Sequence, residues 1–164
     1  MSQGHQITNI TDIQDFIVAG KAIFTVVNSA TGARFTFKVK QAKDRQTGEP
    51  TTLWFVSVLA GSQNDSDYAY LGILTMKEWR INGRGMTQPS RIQYQRTAKS
   101  RIGPDALSQQ AFAWLARQVF LTERLPEAVE FWHEGRCGRC ARRLTVPESI
   151  LSGLGPVCAQ VMAA

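Results

Sequence analysis

Every cysteine of this 164-residue chain lies beyond residue 136, in the pattern Cys137-x2-Cys140-x17-Cys158. His133, one of two histidines, stands four residues before the first of them. Soft thiolates and an imidazole at this spacing suit one tetrahedral Zn2+. His133, Cys137, Cys140 and Cys158 are therefore expected to ligate a structural zinc, with Glu134 as the alternative fourth ligand. Gly138 lets the Cys137–Cys140 knuckle turn so that both sulfurs converge. Pro147 to Gly153 reads as one helical turn closed by glycine. Pro156 then starts a last helix whose first turn holds Cys158, where free amides and the helix dipole favour a thiolate. Knuckle, short hairpin and a ligand at a helix start make a treble-clef-like finger. Such fingers usually take two ligands from the last helix, but residue 161 is valine. The fourth ligand is therefore sought upstream.

Cys-Gly-Arg-Cys also has the form of a thioredoxin-type redox motif. That motif needs a long helix after it, and Pro147 interrupts any such helix. An odd cysteine count with a tight Cys-x2-Cys argues against a secreted disulfide framework. A reducing compartment is expected. No apolar run reaches the roughly 18 residues that a membrane span needs.

The preceding 131 residues are expected to form an α+β domain, residues 1–131, with the zinc-finger module occupying 132–164. Thr11 to Gly20 reads as a short helix capped by Thr11 or Asp12. The period then changes to two, predicting strands over 22–27, 33–40, 52–60 and 68–76, and a short one over 128–132. Their short connections imply an antiparallel sheet of about four strands. In 33–40, Phe35, Phe37 and Val39 alternate with Arg34, Thr36, Lys38 and Lys40, so one face is buried and the other basic. Apolar residues at helical spacing predict a helix over about 104–121 that packs on the sheet.

The formal net charge is +6. All of that excess lies between Trp79 and Pro104, where Arg80, Arg84, Arg91, Arg96, Lys99 and Arg101 occur without an acidic residue. With Gly83, Gly85, Pro89 and Gly103 nearby, the stretch reads as a basic loop, 79–104. Basic segments that also carry aromatic residues suit phosphate backbones and unpaired bases. Arg136, Arg139, Arg142 and Arg143 surround the knuckle and can offset thiolate charge or contact phosphate.

The segment from Trp132 to Ala159 resembles a small zinc-finger-like family of unknown function that is common in bacteriophage and other mobile-element proteins. The likeness lies in His133-Glu-Gly-Arg-Cys137, Leu144-Thr-Val-Pro-Glu-Ser149 and Gly155-Pro-x-Cys158. Ala141 stands where that family usually has glycine. Ala22 to Val39 and Trp54 to Gly72 also resemble the first half of such proteins. The resemblance implies a phage or prophage origin, hence the cytoplasm of a bacterial host, and brings no established activity. Two readings follow. One is an accessory protein that binds nucleic acid or a nucleoprotein complex through its basic surfaces. The other is an anti-CRISPR-like inhibitor that occupies a host defence complex by protein–protein binding. No phosphate loop, paired carboxylates or nucleophile–base pair occurs, so catalysis is not expected.

Overall fold

Alternating apolar and polar residues build one sheet with a buried and an open face. The computed structural model describes residues 4–62, 66–81 and 86–163, without the side chains of 77–81 and 86–90. In β2 (Lys21–Asn28), Ala22 and Phe24 are buried; in β3 (Arg34–Lys43), Phe37 and Val39; in β4 (Pro50–Leu59), Trp54, Val56 and Val58. The residues between them point to the opposite face, as a period of two requires.

The α+β class holds, but the sheet is larger than the four or so strands expected. Its order is β1-β7-β2-β3-β4-β5-β6, all antiparallel. The added strands are β1 (His5–Ile7), β6 (Met86–Arg96) and an extension of β5 (Tyr68–Ile81); the short strand near 128–132 is β7 (Val129–His133). β1 is too short to show a period. In β6, Ile92 and Tyr94 join the core while Arg91 and Gln95 are exposed, and this alternation is diluted by Pro89, Arg91 and Arg96 within the strand.

The expected basic loop 79–104 is accordingly not a loop over most of its length. Its first part ends β5 and forms β6. The connection after β6 is pinned. Arg96 donates from Nε to the Ile102 carbonyl (2.8 Å) and from Nη2 to that of Ser100 (3.1 Å). Buried Gln109 donates to the Leu71 carbonyl (2.9 Å) and accepts from the Tyr94 hydroxyl.

The helices pack on the buried face. Asn9, rather than Thr11 or Asp12, caps α1 (Ile10–Ile17), its Oδ1 accepting from the Thr11 and Asp12 amides. α2 (Leu107–Arg117) starts after Ala106 without a side-chain cap and continues as a wide π-helical turn over Gln118–Thr122. Phe112, Leu115 and Val119 join Ile13, Phe16 and the inward strand residues in one core.

Phe16 sits where α1, the sheet and the C-terminal segment meet. Its ring meets Phe24 and Phe131 edge-on and lies tilted against His133, with centroids 6.3, 5.9 and 5.6 Å away. The boundary expected between residues 131 and 132 falls inside β7, whose residues pair with β1 and β2. Shortening Phe16→Ala should cost about 3–5 kcal/mol. Urea unfolding should read that loss as a lowered midpoint of a single transition, because the ring serves both the sheet core and the C-terminal segment.

Candidate metal centre

The knuckle follows directly from β7. Cys137 N–H donates to the Arg142 carbonyl (2.8 Å), Ala141 N–H to that of Cys137 (2.9 Å), and Leu144 N–H to that of Gly135 (2.7 Å). A bridge between Arg136 and Arg143 closes this small hairpin. α3 (Pro147–Ser152) ends at Gly153 with φ 78°, and α4 (Pro156–Ala163) carries Cys158 in its first turn. Both proline starts and the glycine stop fall where the sequence places them.

These turns bring the three sulfurs within 4.8 Å of one another. The group is enclosed by Ala19, Leu144 and Leu154, while Cys140 is only half-buried. Amides converge on Cys137: Gly155 N–H lies 3.4 Å and Arg139 N–H 3.5 Å from its Sγ. Burial opposes ionisation there, but the amides of Gly155, Cys140 and Arg139 outweigh it and hold the thiol below its ordinary value. At Cys158, burial and the neighbouring Cys140 and Cys137 sulfurs raise the thiol, against the Arg139 guanidinium 3.6 Å away. Thiolates crowded this closely repel one another unless a cation lies among them. Soft, partly buried and partly amide-stabilised, the donor set fits a thiophilic metal ion.

His133 is not brought to this group, and the geometry corrects its expected role. It is buried, and both ring nitrogens are engaged. Nε2 lies 2.6 Å from the Ile150 carbonyl and Nδ1 accepts from the Gly135 amide at 3.0 Å. A carbonyl only accepts, so Nε2 carries the proton and the neutral ring ties β7, the knuckle entrance and α3 together. His5 pairs with His133 across β1 and β7, with ring centroids 5.5 Å apart. Glu134, the alternative ligand, is exposed. Among the described residues, no fourth histidine, cysteine or carboxylate joins the three sulfurs.

The expected binding arginines divide by role. Arg136 donates to the Ala141 carbonyl (3.2 Å) and braces the knuckle, Arg139 faces Cys158, and Arg142 and Arg143 are exposed. Arg96 is spent on the connection after β6, whereas Arg91, Lys99 and Arg101 are exposed. Arg84 and the side chain of Arg80 lie outside the described residues.

The C-terminal segment is docked on the sheet. Lys21 N–H donates to the Gly138 carbonyl (2.6 Å) and Gly138 N–H to that of Gly153 (2.9 Å). A methyl group on Gly138 would lie 2.8 Å from the Phe16 ring, and one on Gly153 would lie closer still. Only glycine permits this approach.

A C-terminal module with a three-cysteine cluster, continuing directly from β7 of an antiparallel sheet, is thus what fold and site define. Residues 129–163 match the model of a family of unknown function, DUF6011. No curated protein and no solved structure matches the chain.

Ala141 adopts a left-handed backbone, φ 65°. This conformation costs a non-glycine residue about 1–2 kcal/mol. Ala141→Gly should therefore raise the unfolding free energy by about 1 kcal/mol, measured by urea denaturation. At His133, burial first and then nearby His5 hold the imidazole below its ordinary value, partly offset by the Ile150 carbonyl. The unfolded chain then protonates first as pH falls, so this contribution is complete above about pH 6.5 and is lost below it. Urea midpoints measured from about pH 7 to pH 5 should fall more steeply for the wild type than for His133→Gln. Parallel profiles would show that the ring does not titrate against folding.

Proposed function

We propose that the protein is a non-enzymatic accessory protein that binds nucleic acid, and that Cys137, Cys140 and Cys158 hold one structural zinc that folds its C-terminal module. The sequence resemblance supplies the bacteriophage or mobile-element setting, and with it a bacterial cytoplasm. The observation that carries the binding role is the open face of the sheet. Lys21, Arg34, Lys38 and Lys40 all project from β2 and β3 on the side away from the helices, and none of them is buried. Cations fixed on adjacent strands form an array that suits a chain of phosphates. Zinc fits the thiolate set, and with Cys137 and Cys158 buried and two amides aimed at Cys137 its role is scaffolding.

A protein partner is the second reading. It is favoured by apolar residues exposed on α3 and α4, with Leu151 64% and Val157 72% accessible.

Two measurements test the main reading. Protein purified without chelators should carry about one zinc per chain, and Cys140→Ser should lose it and lower stability. Fluorescence anisotropy with labelled oligonucleotides should show binding at low salt that weakens steadily as salt rises. Absence of binding at low ionic strength would contradict the nucleic-acid role. Binding that survives nuclease treatment and high salt would favour the protein partner.

A further inference from the structure

We propose that the open sheet face is a platform for single-stranded nucleic acid, with phosphates over β2–β3 and bases stacked on an aromatic strip over β4–β5. This inference rests on the nucleic-acid reading above and assigns it a surface and a strandedness.

Register places the residues. Lys21 pairs with Lys40, Lys40 with Phe55, Phe55 with Ile73, and Ile73 with Gln95. Cross-strand partners share a face, so these five form one row across β2 to β6. The next row runs Ile23, Lys38, Ser57, Tyr70. Side-chain distances agree with a common face. The Phe55 and Tyr70 rings are 6.4 Å apart, and Lys38 Nζ lies 5.4 Å from the centroid of the Tyr68 ring. Strands are spaced about 4.8 Å apart, so the cations lie one or two strands from the rings, within the breadth of a nucleotide.

Chemistry then selects the ligand. Phe55 is 43% exposed at the middle of the sheet, where an apolar ring gains nothing from water. A duplex hides its base faces and would meet only the cations. An unpaired strand can use both halves of the surface, because every base has a π-face to lay on a ring. Glu130 also lies on this face, flanking Val27 on the side away from Arg34. The acidic group is thus off the row that carries Lys40 and Phe55.

The test compares a labelled single-stranded oligonucleotide with its own duplex by fluorescence anisotropy over a salt series. The single strand should bind tighter. Phe55→Ala should weaken single-strand binding about tenfold with an unchanged salt slope, since it removes stacking and no charge. Lys38→Gln with Lys40→Gln should lower the salt slope by about 0.7 for each phosphate no longer neutralised. All three substitutions are at residues that are not buried, and circular dichroism would check their folding. If wild type binds nucleic acid while Phe55→Ala and the double lysine variant bind equally well, the platform is overturned and the broader function stands. Equal or tighter duplex binding overturns it likewise. No binding of either form at low salt removes the functional reading itself.

Discussion

One aromatic ring joins the two halves of this molecule. Phe16 leaves α1, meets Phe24 and Phe131 edge-on in the sheet core, and closes against Gly138 and Gly153 of the cysteine module. Each of those glycines is a place where a single methyl group would collide with the ring. The knuckle and α3 can therefore reach the sheet only because both positions lack a side chain. The Lys21 amide then bonds the knuckle carbonyl, and β7 continues straight into the knuckle, so backbone and side-chain contacts reinforce the same docking. Fold and cysteine cluster share one core boundary.

The chemistry of the cysteine cluster follows from that docking. Amides at Cys137 and a guanidinium at Cys158 are placed by the turns that the module makes against the sheet, and they moderate the charge of three close sulfurs. His133 works in the same scheme from outside the sulfur cluster. Its two hydrogen bonds hold the knuckle entrance to α3, and its ring packs on Phe16. The sheet face opposite the helices carries cations on two strands and aromatic rings on the next two.

Much of this is legible in the sequence, for physical reasons that differ by element. The knuckle, the proline starts of α3 and α4, and the glycine stop at Gly153 are local chemistry and fall where expected. Strands β2 to β4 alternate strongly and are also legible. β6 is not, because its inward residues Ile92 and Tyr94 are only two, and they are set among polar and basic side chains in a stretch that also carries glycine and proline. His133 misleads for a different reason. A histidine four residues before a cysteine knuckle has ligand spacing, and only the fold shows that both nitrogens are already bonded. Phe55 belongs to an apolar strand pattern, and its outward position becomes visible only through register with Lys40. The left-handed backbone that Ala141 adopts is one that glycine takes at less cost, and that too becomes visible only in the fold.

The central claim is that the cysteine module and the sheet are one cooperative body. Hydrogen exchange followed by mass spectrometry, before and after metal removal by a chelator, tests it most directly. Coupling through Phe16 and β7 predicts that protection is lost in α1, β1 and β7 as well as in the knuckle and α4. Loss confined to the segment after His133, with α1 and β1 unchanged, would contradict it.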